Sequence, residues 1–241
     1  MNAEINEAVQ VYMEKQFEYE QFLASIRVFF EKHPNLNRHP SPIIHSLKSR
    51  LKDPTHLADK LERKLFKGQI ITKENILTEI TDFIGVRVLH LHQDQFSAIH
   101  TAIREKVDNG DWLFLEEPKA YTWDPESVQF YQSQSIKTEV RDTFYTSIHY
   151  LVKPNNKNPI CCEIQVRTLF EEIWGEIDHN INYPHKTDSI ACTEQLRVLS
   201  KLVSTGTRLA DSIFRTHTDY NKQKIPVTLD KLPNDGNQSV S

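Results

Sequence analysis

Apolar residues recur at helical spacing through residues 3–31, where Val9, Tyr12, Met13, Phe17, Leu23, Ile26 and Phe30 share a broad stripe, and the pattern predicts one long helix. Three prolines in "EKHPNLNRHPSP" (31–42) end it. Asp53 followed by Pro54 is a helix start, a capping carboxylate ahead of a ring that presets φ, and predicts a helix from 54 to Gly68. Thr72 is placed to cap a further short helix, and Asp94 to cap another through Val107, which the Asn109-Gly110 turn closes. "TDFIGVRVLHLH" (81–92) and "DWLFLEE" read as strands. Residues 116–135, with their prolines, acids and polar side chains, read as a loop.

Two further strands, "YTSIHYLVKP" and "PICCEIQVRT", are joined by the turn formers "KPNNKNP". Side chains alternate along a strand, so Cys161, Glu163, Gln165 and Arg167 share one face of 160–167, and Tyr145, Ser147, His149 and Leu151 share one face of 145–152. If the strands are neighbours, a single surface carries Tyr, Ser, His, Glu, Gln and Arg. A solvated outer face is the commoner fate of such alternation. Thr168 caps a helix to about Asn182, and Leu196, Leu199, Leu202, Leu209 and Ile213 give a last helix over roughly 191–216. From Ile225 onward the periodicity is lost, and residues 225–241 are expected to be a disordered tail. Strands interleaved with and flanked by helices make the class α+β or α/β.

Composition narrows the partners. A formal net charge of −4 offers no global attraction to nucleic acid or an anionic membrane, so an anion site must come from local clustering. No apolar run approaches the roughly 20 residues of a membrane span, and the N-terminus lacks the cationic and apolar blocks of a secretory signal. Cys161, Cys162 and Cys192 have no metal-binding spacing and read as buried thiols of a reducing cytoplasm.

Local clustering does occur in "SRLKDPTHLADKLERK". Arg50 and Lys52 share a strand-like face just before the Asp53-Pro54 helix start, and Lys60 projects beside Arg63 and Lys64 on the helix itself. Such a group beside a helix N-terminus suits a polyphosphate, although Asp59 and Glu62 neutralise part of it and a solvated charged face has the same signature. Asp82 opens an apolar strand, where a carboxylate can meet a nucleotide-bound Mg²⁺ or merely end a turn. Neither GxxxxGK[ST] nor GxGxxG occurs, so any phosphate cradle relies on cationic side chains.

Taken in this order, four segments resemble the synthetase domain of the RelA/SpoT family, and in size its small alarmone synthetases. They are "SRLKDPTHLADKLERK", "TDFIGVRVL", "YTSIHYLV" and "EIQVRTLFEEIWGEIDHNINYP", and the resemblance covers about residues 45–187. It implies a nucleotidyltransferase-like core with a mixed, mostly antiparallel sheet of about five strands and flanking helices. The chain then divides into an N-terminal helix and linker (1–44), the synthetase domain (45–187), a C-terminal helix (188–224) and the tail (225–241). The implied enzyme is a cytoplasmic GTP diphosphokinase that transfers the β,γ-diphosphate of ATP to the 3′-hydroxyl of GDP or GTP, giving AMP and ppGpp or pppGpp.

Carried over residue by residue, Arg50, Lys52, Lys60 and Arg63 would hold ATP, Asp82 would bind Mg²⁺, and Tyr145 would stack on guanine. His149, Gln165 and Arg167 would line the acceptor and phosphate region. Glu163 would be the catalytic base and a second metal ligand. Trp174 would pack behind the strand, and Asp178-His179 would support the site from behind. The family has glycine before the acceptor-loop tyrosine where this chain has Phe144, so the loop must form without glycine's freedom. Relatives that pyrophosphorylate tRNA 3′ ends or adenine nucleotides, and an inactive nucleotide-binding module, are the alternatives. The hydrolase motif of long relatives is not found, so no alarmone hydrolysis is expected. Terminal helices would build a homo-oligomer, a tetramer in small relatives.

Overall fold

The computed structural model describes residues 3–155, 157, 159–183 and 185–224. Six strands among them form one sheet: β1 (Ile44–Leu51), β2 (Ile84–His90), β3 (Leu113–Thr122), β4 (Lys137–Val140), β5 (Ser147–Lys153) and β6 (Cys162–Thr168). Their spatial order is β1-β2-β6-β5-β3-β4. The β1–β2, β5–β6 and β3–β5 pairs are antiparallel, and β2–β6 and β3–β4 are parallel. This is the expected α+β fold with a mixed, mostly antiparallel sheet and one strand more than anticipated. Inserting β6 between β2 and β5 puts residues 162–166 in the middle of the sheet, where both backbone edges are paired.

One face of the sheet is apolar. Ile84, Val86 and Val88 of β2, Ile148, Tyr150 and Val152 of β5, and Cys162, Ile164 and Val166 of β6 are all buried. They share a core with α1 (Ala3–Glu14), α2 (Gln16–Lys32) and α5 (Phe96–Asp108), through side chains such as Tyr12, Phe30, Phe96 and Ile103. Cys161 and Cys162 are the buried thiols expected, with burial pushing Cys161 up to about 12, whereas Cys192, in the first turn of the last helix, is only half-buried. The other face is polar and is partly covered by α7 (Leu169–Asn182), against which α8 (Ile190–Lys224) packs.

Local signals explain most boundaries. Asp53 accepts from the Thr55 and His56 amides and starts α3 (Pro54–Phe66). Thr168 and Glu171 form a reciprocal capping box at the start of α7.

Five readings need correction. The single helix expected over 3–31 is two helices that break at Lys15, where Tyr12, Tyr19 and Phe83 stack at 5.0–5.4 Å. The loop expected at 116–135 is the second half of β3, then α6 (Pro125–Ser133). Pro118 falls where the β3–β5 register is irregular and no regular ladder bond is lost, and Asp124-Pro125 repeats the Asp-Pro start signal of α3. Asp94 does not cap α5; His92 and Gln95 cap a 3₁₀ turn ahead of it, and Asp94 pairs with Arg215 of α8. Thr72 caps a turn, and the short helix α4 (Ile76–Glu79) starts at Asn75.

Helix α8 runs beyond the expected end at 216 and docks through Leu196, Ser200, Val203, Thr207 and Asp211. Leu202, Leu209 and Ile213 instead point outward. The tail expected at 225–241 lies outside the described residues.

Candidate active site

The strand registers assemble the polar face. His149 pairs with Gln165 across β5–β6, Arg87 with Gln165 and Gly85 with Glu163 across β2–β6, and Arg50 with Gly85 across β1–β2. Gly85 contributes no side chain. Arg50 lies across it, its Cγ 3.6 Å from where a Cβ would stand, so the guanidinium can extend toward Glu163's strand. The alternation that selects Glu163, Gln165 and Arg167 therefore also brings Arg50 and Arg87 to the same surface.

Glu163 is held by two partners. His149 Nδ1 lies 3.0 Å from Oε1, and Gln165 Nε2 donates to Oε2 at 2.9 Å. His149 Nε2 in turn lies 3.0 Å from the Tyr145 hydroxyl. The ring is engaged at both nitrogens, by the carboxylate at Nδ1 and by the tyrosine hydroxyl at Nε2, which fixes its orientation. Burial raises the Glu163 carboxyl, but the hydrogen bond and charge of His149, with help from Gln165, outweigh it. The group is held below the ordinary glutamate value.

Asp82 sits two residues before β2. Lys52 Nζ contacts its Oδ2 at 2.8 Å and Lys60 Nζ its Oδ1 at 2.7 Å. Burial raises this carboxyl too, and the two ammonium groups more than compensate, leaving it lowered. Tyr12 donates to the Lys52 carbonyl, so α1 steadies the end of β1. Arg50, Lys52, Lys60 and Arg63, with His56 and Lys64, line a cleft of about 580 Å³. Beside it a cleft of about 360 Å³ holds Arg50, Asp82, Arg87, Glu163 and Gln165. A third, of about 500 Å³, is walled by Tyr145, Gln165, Arg167 and Phe144. The predicted residues thus come together in three adjoining clefts, with Glu163 in the middle one. His149 reaches that cleft only through its contacts with Glu163 and Tyr145.

Arg167 is deeper than expected: it is 2% exposed, and its Nη2 lies 2.6 Å from Glu172 Oε2. Gly175 makes room for it, since a Cβ there would stand 2.7 Å from Nη1. Trp174 is buried packing as expected, its indole donating to the Leu196 carbonyl at 2.9 Å. His179 does not stand behind the site. It lines all three clefts, stacked on Tyr183 at 4.5 Å, and Arg63 lies over the other ring of that pair at 5.5 Å.

Sequence reasoning also passed over Lys48 and Arg87, which ion-pair with Glu172 and Glu176 of α7 at the edge of the middle cleft. The period-2 reading used for 160–167, applied to "IGVRVLH", would have placed Arg87 beside Gln165.

Two carboxylates, Asp82 just before β2 and Glu163 on the adjoining β6, line the middle cleft, and Asp82's charge raises Glu163's carboxyl. Oxygen donors of this kind suit a hard divalent cation. A separate His92, Asp94 and Asp211 cluster closes on itself: Asp211 is bonded to His92 and to the Asp94 amide, and Asp94 to Arg215. It fastens α8 to the core.

Comparison with known proteins agrees with this fold. The GTP pyrophosphokinase YwaC of Bacillus subtilis (strain 168) is 25% identical over 159 residues, 64% of this chain and 65% of that relative, so the chain matches slightly less than two thirds of its length. A GTP pyrophosphokinase family protein from Streptococcus pneumoniae superposes with a TM-score of 0.64 at 18% identity, covering 94% of this chain and all (100%) of that one. The small alarmone synthetase 1 of Bacillus subtilis bound to its product pppGpp gives 0.61 at 19% identity, over 88% of this chain and 100% of its own. Residues 49–188, more than half of the chain, with both Asp82 and Glu163 of the middle cleft among them, match the model of the region found in RelA / SpoT proteins, and the chain belongs to that family.

Proposed function

We propose that the protein is a cytoplasmic alarmone synthetase that transfers the β,γ-diphosphate of ATP to the 3′-hydroxyl of GDP or GTP. The observation that carries this reading is the position of Glu163, an ionised and oriented carboxylate between a cationic cleft and an aromatic one. ATP would occupy the cationic side, its phosphates on Arg50, Lys52 and Lys60 and its base near Arg63. The guanine would meet Tyr145, with Gln165 and the Arg167 charge beneath the acceptor. Glu163 takes the proton of the 3′-hydroxyl as that oxygen bonds to the β-phosphorus. The α,β-bridging oxygen leaves with AMP. Mg²⁺ held by Asp82 and Glu163 would neutralise charge on the transferred group. Arg87 and His179 join the residues that shape the reacting centre.

Assembly into a homo-tetramer through the terminal helices fits the outward Leu202, Leu209 and Ile213 of α8, 58–63% exposed. Among the described residues no helix is long and apolar enough to cross a membrane.

The test is transfer of label from γ-labelled ATP with Mg²⁺, offering GDP, GTP, AMP, ADP or deacylated tRNA. Label on GDP or GTP with release of AMP is the expected result. Label only on tRNA or adenine nucleotides would move the chain to the other acceptor classes, and no transfer at all would leave a nucleotide-binding module.

A further inference from the structure

Phe144 has φ of 57°, in the left-handed region that side chains bearing a Cβ rarely adopt and that glycine enters freely. A residue keeps such a conformation only when its surroundings impose it. Here the surroundings are a corner of the sheet. The Phe144 ring meets the Trp123 indole edge-on, with centroids 5.4 Å apart and planes at 74°. The same corner grips the loop on either side of Phe144. Arg141 N–H donates to the Thr122 carbonyl at 3.0 Å, and the Thr146 and Thr122 hydroxyls lie 2.9 Å apart in a buried pair.

Tyr145 stands between these anchors. Its hydroxyl reaches His149, and its ring faces the Arg167 guanidinium at 5.8 Å. Phe144 and Tyr145 both wall the acceptor-side cleft, whereas Trp123 stands with Phe144 on a small neighbouring cavity. Rotating Phe144 to an ordinary negative φ would swing the next side chain, and so Tyr145, out of its place.

We propose that Trp123 is a positioning residue for the acceptor cleft: its contact with Phe144 holds that residue left-handed and thereby aims Tyr145. The indole does through packing what a glycine at 144 would do through conformational freedom. The proposal rests on the acceptor assignment above only for its kinetic readout.

The test compares Trp123→Ala, Trp123→Phe and the Trp123→Ala/Phe144→Gly double variant in the full chain. Trp123→Ala should raise the KM for the guanine nucleotide by about tenfold or more and leave the KM for ATP within about twofold. Trp123→Phe, which keeps an aromatic edge, should stay within about threefold of the parent in both. Glycine needs no packing to remain left-handed, so the double variant should recover most of the acceptor KM, a non-additivity that a merely structural tryptophan would not show. Trypsin cleavage after the exposed Arg141 reads the loop without substrate: faster in Trp123→Ala, restored in the double variant. If Trp123→Ala does not fold, Trp123→Leu with and without Phe144→Gly is read the same way. A double variant no better than the matching Trp123 single variant in both readouts overturns the proposal, as does an unchanged acceptor KM with unchanged cleavage in that single variant. Restored cleavage in a protein that labels no guanine nucleotide upholds the loop assignment and overturns the acceptor assignment instead.

Discussion

His149 Nδ1 lies 3.0 Å from Glu163 Oε1, on a diagonal across the β5–β6 ladder. The contact leaves the carboxylate ionised and fixes its direction toward the middle cleft. Glu163→Gln keeps the shape and removes the proton acceptor, so transfer should fall by about 10²–10⁴-fold. ATP binding measured without a divalent cation should stay within about twofold, since the side chains assigned to ATP lie elsewhere. His149→Ala, which removes the orienting contact and leaves the base, should cost less than Glu163→Gln. Initial rates of AMP release with saturating GTP check both, and a Glu163→Gln enzyme within about tenfold of the parent would remove Glu163 as the base.

Both Asp82 oxygens are covered by ammonium groups from the two lysines assigned to the ATP phosphates. A divalent cation approaching Asp82 in the free protein therefore meets two positive charges, and a triphosphate that accepts Lys52 and Lys60 removes them. Mn²⁺ should bind the free protein at least about tenfold more weakly than the complex with a non-hydrolysable ATP analogue, as read from free Mn²⁺ by electron paramagnetic resonance. Lys60→Gln should strengthen binding of Mn²⁺ alone, and Asp82→Asn should abolish it. Tight binding to the free protein that ignores Lys60→Gln would show that the lysines do not guard the site.

Much of this site was legible because strand alternation and Asp-Pro capping are local signals. Glu163, Gln165 and His149 follow from a period of two, and α3 and α7 from their caps. The longer-range parts were not legible. Arg167's burial depends on a glycine eight residues later on another element, and His179's place depends on how α7 crosses the sheet. The outward face of α8 was misjudged because its docking stripe is partly polar: Ser200, Thr207 and Asp211 are buried there while Leu202, Leu209 and Ile213 are exposed. Phe144's left-handed backbone could be posed as a question from sequence. Only the position of Trp123 answers it.

Gly175→Ala should be destabilising even though alanine is the better helix former by about 1 kcal/mol. Its Cβ would stand 2.7 Å from Arg167 Nη1, and that guanidinium cannot swing away without leaving Glu172, its buried partner at 2.6 Å. Separating a buried pair costs about 3–5 kcal/mol, so a net loss of about 2–4 kcal/mol is expected in urea unfolding. Weaker binding of the guanine nucleotide should accompany it, because Arg167 also faces Tyr145. A variant more stable than the parent would show that Arg167 yields easily.

His90 gives the protein an acid-sensitive fold. It is 1% exposed, its Nδ1 lies 2.9 Å from the His92 carbonyl, and Nε2 is buried with no hydrogen-bond partner. A proton on Nε2 would therefore place both a charge and an unpaired donor in the core. Burial pushes the group down to about 4; nearby His92 acts in the same direction, while the bond to the His92 carbonyl and the charge of Asp211 oppose it. An unfolded histidine protonates near about 6.5, so between these values the unfolded chain binds more protons and acid favours unfolding. Stability should be full above pH of about 6.5 and fall as pH drops toward 4, by up to about 1.4 kcal/mol per pH unit from this residue. His100, lowered to about 4 by burial and by Arg104, adds a slope of the same sign. Urea midpoints at about pH 7.5, 6 and 5 measure the effect, and His90→Phe should flatten it whatever its midpoint at neutral pH, with His100 supplying the remainder. A His90→Phe slope equal to the parent's would mean that His90 is protonated in the folded protein.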